Sequence, residues 1–396
     1  MFWEDSTTLI VALYFLVVLA GILLILKLSK DKTRKISSLR LFIQVAAAFG
    51  VFMGLILGPF NQQLWLPLGS SPRDRLFGLE LFGNQFPDGL AVPILACYYP
   101  NGRTVTCAIW QIQAYIFPFW NYPRGYEVIY SNSGLEMLTI VFGSLIGMSL
   151  FLGRFFCGWL CPFGLYMDLL TRIRKVFRKR HLNFSAKSNK ALGQFRYIII
   201  AIILILSVIL ASQLIPGTIP GGPYGTEAGI VSYINEPFCL VCPMRPLCIL
   251  FETGIGALNW SYISQIVYGP FWITGFYLTS INLIILVLVT ILSLAYRRFW
   301  CRICPQGALS GFFSTFTPFK QIALTRLHKD EEKCTKCGIC KRVCPTQATD
   351  VYEKKGGDVT ESRCMLCARC VELCPYEDTL ALKFGGKTVF KSRNWL

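Results

Sequence analysis

The chain has 396 residues, 54% of them hydrophobic, 14% aromatic and only 15% charged, with a formal net charge of +17. That balance excludes an ordinary soluble globular domain and is the composition of a membrane protein. The basic excess does not point to nucleic acid, because the lysines and arginines gather at the ends of apolar stretches and beside cysteine motifs, where topogenic and lipid-facing roles account for them.

Five stretches are apolar over the roughly 20 residues that a helix needs to cross hydrocarbon: 8–28, 39–58, 135–156, 195–215 and 272–296. The first follows Glu4 and Asp5 rather than lysines and is too long for a cleaved signal peptide, so it reads as a retained anchor. Lys27, Lys30, Lys32, Arg34, Lys35 and Arg40 crowd the link to the second span and mark it as cytoplasmic. Residues 61–134 then lie outside. There Cys97 and Cys107 flank Pro100-Asn101-Gly102-Arg103, and Asn-Gly between alternating runs is a hairpin signal that sets the two cysteines opposite each other. They can form a disulfide in an oxidising compartment or ligate a metal. Trp65, Trp110, Tyr115, Trp120 and Tyr122 on this side supply an interfacial aromatic belt or a docking surface.

The third span ends in Arg154-Phe155-Phe156-Cys157-Gly158-Trp159-Leu160-Cys161-Pro162-Phe163-Gly164. A second basic link follows, with Arg172, Arg174, Lys175, Arg178, Lys179, Arg180, Lys187 and Lys190, and it too falls inside. Asp168 in this link is placed to pair with Arg172 at i, i+4 or to couple to protons, and His181 reads as a solvated surface residue. Residues 216–271 carry one basic residue, Arg245, and face outside. They hold Cys239, Cys242 and Cys248 in a Cys-x2-Cys-Pro run. Three cysteines cannot close disulfides among themselves, so the set reads as a further cluster site completed by Cys97 or Cys107, or as a structural disulfide plus one buried thiol. Residues 249–268, with Glu252, Asn259 and Gln265, are apolar enough for a re-entrant piece; a full sixth span there would move the carboxy terminus outside. Arg297, Arg298 and Arg302 after the last span favour five.

Arg298-Phe299-Trp300-Cys301-Arg302-Ile303-Cys304-Pro305 repeats the pattern that follows the third span, which implies two related halves. Cys157, Cys161, Cys301 and Cys304 make four thiols at one membrane face, the number that an iron–sulphur cluster requires. Arg154, Arg298 and Arg302 favour their thiolate forms. Residues 324–383 then carry Cys334-x2-Cys337-x2-Cys340-x3-Cys344-Pro345 and Cys364-x2-Cys367-x2-Cys370-x3-Cys374-Pro375. This is the ligand spacing of a two-cluster bacterial ferredoxin, in which the fourth cysteine of each run crosses to the other cluster. One 4Fe–4S cluster takes Cys334, Cys337, Cys340 and Cys374; the other takes Cys364, Cys367, Cys370 and Cys344. Structural zinc sites use two C-x2–4-C pairs instead.

The Cys-Pro motifs at span ends together with the double ferredoxin run resemble the membrane polyferredoxins that serve periplasmic nitrate reductase and nitrous oxide reductase, and the related iron–sulphur protein of cytochrome oxidase assembly. The resemblance covers 135–380 and departs in the two-residue spacing of Cys301 and Cys304. It implies a mainly α membrane protein with about five transmembrane helices and a cytoplasmic α+β ferredoxin-like domain at 321–396, after segments 1–60, 61–134 and 135–320. It further implies two 4Fe–4S clusters with one or two more, and electron relay from a cytoplasmic donor, oxidoreductase subunit or quinol pool to a membrane or extracytoplasmic redox partner. Assembly of a membrane metalloenzyme and redox sensing are the alternatives. The only histidines, His181 and His328, give no bis-histidine haem site, and no dinucleotide or phosphate loop is present. The chain therefore reads as an electron-transfer subunit rather than a stand-alone enzyme.

Overall fold

A computed structural model describes residues 2–28, 35–52, 93–96, 107–121, 134–177, 181–213, 237–254, 273–274, 278–316 and 319–392. Cys97, Trp65, Tyr122, the Asn101-Gly102 turn, Asn259 and Gln265 lie outside them. Helices form at the five places where spans are expected: Phe2–Leu28, Lys35–Phe52, Gly134–Leu152, Ala186–Gln213 and Ser280–Ala295. Lys35–Phe52 and Ala186–Ile209 are long and apolar enough to cross a membrane, while apolar runs of Ala12–Lys27, Val141–Leu152 and Ile281–Ala295 are shorter. The helices also turn apolar faces outward, against the rule for soluble helices. Ile198, Ile202, Ile205 and Ile209 are exposed at helical spacing, as are Ile284, Val287, Leu288 and Ile291.

Two spans are shorter than expected for identifiable backbone reasons. The third stops at Gly153, whose φ of 55° and N–H bond to the Ser149 carbonyl at 2.8 Å make a left-handed helix cap. The fifth starts only at Ser280, because β1 (Ile273–Thr274) pairs antiparallel with β2 (Leu278–Thr279) just before it. It closes at Ala295, and Arg298 then takes a φ of 46°.

The described chain forms two units. One comprises Met1–Tyr14, Phe49–Leu145 and Ile198–Thr290, and the other Phe15–Ala48, Ile146–Tyr197 and Ile291–Leu396. In the second unit both Cys-Pro motifs fold alike. Helix Phe155–Trp159 carries Cys157; Cys161 follows with φ −67° and ψ 119°, and Pro162 opens helix Pro162–Val176. Helix Trp300–Ile303 carries Cys301; Cys304 follows with φ −61° and ψ 122°, and Pro305 opens helix Pro305–Thr315. A residue before proline is pushed to extended backbone, and proline at a first helical position forfeits no hydrogen bond, so each Cys-Pro is a sharp strand-like step between two helices.

The same unit holds a four-stranded antiparallel sheet in the order β4-β3-β5-β6, built from β3 (Thr325–Lys329), β4 (Gly357–Asp358), β5 (Leu380–Phe384) and β6 (Lys387–Lys391). β3 alternates buried and half-buried residues, and Leu327 stands opposite Leu382. Leu327, Val351, Val359, Leu366, Val371 and Leu380 form its core, and Trp159 from the first cysteine motif belongs to it. The indole Nε1 donates to the Leu366 carbonyl at 3.0 Å, and the ring stacks on Phe155 and Phe390. Gly158 beside it has no room for a side chain, since a Cβ there would stand 2.4 Å from the Met365 carbonyl oxygen. Gly158→Ala is therefore expected to cost about 1–3 kcal/mol, the usual penalty of overpacking. A lowered thermal midpoint of the detergent-purified protein checks this; an unchanged midpoint would exclude the contact.

Candidate metal centres

The double cysteine run lines two cavities. Cys334, Cys337, Cys340 and Cys374 surround one, with Tyr352 and Leu380. Cys344, Cys364, Cys367 and Cys370 surround the other, with Leu327 and Val359. Cys374 thus faces the cavity of the first run and Cys344 that of the second. Local backbone shape is repeated as well. Lys336 and Gly338 have φ of 56° and 74°, and Leu366 and Ala368 have φ of 51° and 54° at the matching positions. Three of these four are L residues in a region that their side chains disfavour, and alternation of hand of this kind makes the concave amide nests that suit iron–sulphur sites.

Burial pushes the Cys340 thiol up to about 11, with Cys334, Cys337 and Cys374 adding to the shift. Cys364 and Cys370 are likewise raised by burial and by their quartet neighbours. A bound metal displaces such protons outright. Each quartet lines a cavity, which fits a 4Fe–4S cluster. Cys340 also lies within electrostatic reach of Cys370, so the two quartets are neighbours.

Cys157, Cys161, Cys301 and Cys304 are all buried, and the fold gathers them from two halves of the chain. Burial raises the Cys304 thiol well above its ordinary value, with Cys157, Cys301 and Cys161 contributing. Burial also raises Cys301, against the opposing pull of Arg298 and Arg154. Arg154 donates to the carbonyls of Cys301 and Ser362, both at 2.9 Å. Arg302 donates to the carbonyls of Thr346 at 2.9 Å and Pro345 at 3.0 Å and to the Asn189 side chain. Arg298 donates to the Cys157 carbonyl at 2.7 Å, contacts the Met365 sulphur at 3.0 Å, and grips Asp168 through Nε at 2.9 Å and Nη2 at 2.5 Å.

Asp168 pairs with Arg298 and with Arg40 at 3.2 Å, not with Arg172 as its helical spacing implies. Gln44 joins it at 3.3 Å and also holds the Gly158 carbonyl. Burial alone would raise this carboxyl, but Arg298 and Arg40 hold it far below the carboxylate range. His181 is a second correction. It is half-buried, and burial with Arg297, Arg174 and Lys175 nearby lowers its imidazole to about 4, so it is neutral at pH 7. Trp159, Gly158, Gln44 and Asn189 escape a reading of the sequence for chemistry, because they serve the site through backbone contacts; only the Gly-Trp inside the Cys157–Cys161 spacing marks any of them.

In the other unit, Cys239, Cys242 and Cys248 are buried on and between the short helices Pro237–Val241 and Arg245–Gly254. Cys107 is buried at the start of helix Ala108–Asn121, and Trp110 is half-buried on that helix.

A family model described as a 4Fe–4S binding domain matches 133–183 and 280–321, the two halves that carry the Cys-Pro motifs. A second, described as a 4Fe–4S dicluster domain, matches 333–377. The chain is similar to an uncharacterized protein of Methanocaldococcus jannaschii, 28% identical over 51% of this chain and 63% of the relative. It is similar to YccM of Escherichia coli, whose name assigns it to electron transport, at 24% over 53% and 46%. It is also similar to the ferredoxin-type protein NapH of Escherichia coli, at 27% over 54% and 53%. The match thus spans about half to three fifths of these relatives. No solved structure matches. The two family models and the relatives support a polyferredoxin-like family and multiple 4Fe–4S clusters.

Asp168→Asn would leave two buried guanidinium groups without their carboxylate, at an expected cost of about 3–5 kcal/mol in unfolding free energy. The folded carboxyl lies below its unfolded value of about 3.9, so its stabilisation is present at neutral pH and is lost as pH falls below about 4. Unfolding midpoints across pH check both points: the wild type should show an acid-dependent loss of stability that the variant lacks. Equal acid sensitivity in the two would overturn the assignment.

Proposed function

We propose that this is an integral-membrane electron-transfer subunit. Clusters held by Cys334, Cys337, Cys340 and Cys374 and by Cys344, Cys364, Cys367 and Cys370 take electrons from a cytoplasmic donor. A third cluster held by Cys157, Cys161, Cys301 and Cys304 passes them to a membrane or extracytoplasmic redox partner. One observation carries the reading. A Cβ built at Gly158 would stand 3.4 Å from both Cα and Cβ of Cys367, so the backbone next to Cys157 touches a ligand of the second quartet. With Cys340 beside Cys370, the three quartets form an unbroken series inside one unit.

The electron transport and ferredoxin-type relatives support the same chemistry. A cytoplasmic ferredoxin face and several membrane crossings follow from the basic links at Lys27–Arg40 and Arg172–Lys190 by the excess of cations on that side. The chain's own residues hold, space and neutralise the redox centres; turnover belongs to a partner.

The test is iron and acid-labile sulphide on anaerobically purified protein. At least about twelve irons per chain are expected for three 4Fe–4S clusters, and Cys157→Ser/Cys301→Ser should remove about four while the ferredoxin EPR signals persist. In native membranes, that double variant should reoxidise its reduced ferredoxin clusters far more slowly than the wild type. About eight irons in the wild type would sink the third cluster, and unchanged reoxidation would sink the relay.

A further inference from the structure

Seventeen cysteines include twelve in the three quartets and five beyond them. Four of the five are described, and all are buried: Cys107 is 3% exposed, Cys239 6%, Cys242 4% and Cys248 0%. They share one unit. Asn282 is wholly buried, and its Nδ2 donates to the carbonyls of Cys239 and Cys242, both at 3.0 Å. One amide thereby clamps the Cys-x2-Cys turn. Cys248 follows in the first turns of helix Arg245–Gly254, with its N–H on the Met244 carbonyl at 3.0 Å.

Cys107 is tied to this turn by a second buried amide. Gln113 accepts from Phe238 N–H at 2.9 Å and donates to the Ile109 carbonyl at 3.1 Å. A single side-chain amide reaches both groups, so by hydrogen-bond lengths they lie within about 8 Å of each other. Helices Ala108–Asn121 and Pro237–Val241 pack against each other, and Cys107 immediately precedes the first while Cys239 lies on the second. Arg245, 4% exposed, sits between Cys242 and Cys248, as Arg154 and Arg298 sit beside the third quartet.

We propose that Cys107, Cys239, Cys242 and Cys248 hold a further iron–sulphur cluster of the 4Fe–4S class, with Cys107 rather than Cys97 as the fourth ligand. Buried arginine and four buried thiols in an apolar interior are the makings of a cluster site.

The inference extends the reading above without depending on it, and iron counting tells the two apart. About sixteen irons per chain are expected in the anaerobically purified wild type. Cys107→Ser and Cys248→Ser should each remove about four and leave about twelve, whose retention shows that the rest of the chain has folded; Cys97→Ser should remove none. About twelve irons in the wild type, of which Cys157→Ser/Cys301→Ser removes about four, would overturn the further cluster while leaving the three-cluster relay intact. Loss of iron in Cys97→Ser but not in Cys107→Ser would overturn the ligand assignment, as would recovery of Cys107 in a disulfide from the same sample by non-reducing peptide mapping. If a serine variant fails to accumulate, the wild-type count decides.

Discussion

Charge buried without water has to be met by opposite charge or by a full set of acceptors, and the cysteine-bearing unit buries Arg154, Arg196, Arg298 and Arg302. One carboxylate, Asp168, serves Arg298 and Arg40. Arg196 relies on the Ser362 carbonyl and the Tyr197 hydroxyl, and Arg154 and Arg302 rely on carbonyls of the cysteine loops. Carbonyls satisfy the N–H groups but not the charge. The anions within reach are sulphurs: Cys157, Cys301 and Cys304 beside Arg154, and Cys344 and Cys301 beside Arg302. Metal loading would fix those sulphurs as thiolates and would thereby couple to the stability of the arginine network, in the manner of other metal-dependent folds.

These arginines also explain why the ferredoxin segment is not an appendage. Ser362 receives Arg154 and Arg196, Met365 receives Arg298, Leu366 receives Trp159, and Pro345 and Thr346 receive Arg302. Every one of these groups lies within three residues of a quartet cysteine. Ser37 adds a contact from the first basic link, donating both its N–H and its hydroxyl to the Glu372 carboxylate. The contacts position the cysteine loops themselves, so a change at the membrane-face motifs is felt by the second quartet.

Much of this was legible from residues close together in the chain. The ferredoxin spacing predicts the crossed quartets because three cysteines at x2 intervals wrap one cavity and proline forces the fourth away. The two Cys-Pro steps follow from what proline does to its predecessor, and their ψ values of 119° and 122° agree to a few degrees. What was not legible depends on distance along the chain. Asp168 has Arg172 at helical spacing, yet its partners are Arg298, 130 residues away, and Arg40, 128 residues away. His181 lies in a run of cations that reads as solvated surface, but the fold folds Arg297 back over it. The third span outruns its helix because hydropathy continues through Phe155 and Phe156, whereas the backbone turns at Gly153.

Exposure and charge differ between the two ends of the cysteine series. Cys337 is exposed and Cys334 and Cys340 are half-buried, with Lys336 in water at that end, so charge there is screened. At the other end, Cys157, Cys161, Cys301 and Cys304 are buried with Arg154 and Arg298 fixed beside them. Positive charge held in a medium of low polarisability acts over distance with little screening, and it favours the reduced, more negative state of whatever those thiolates hold.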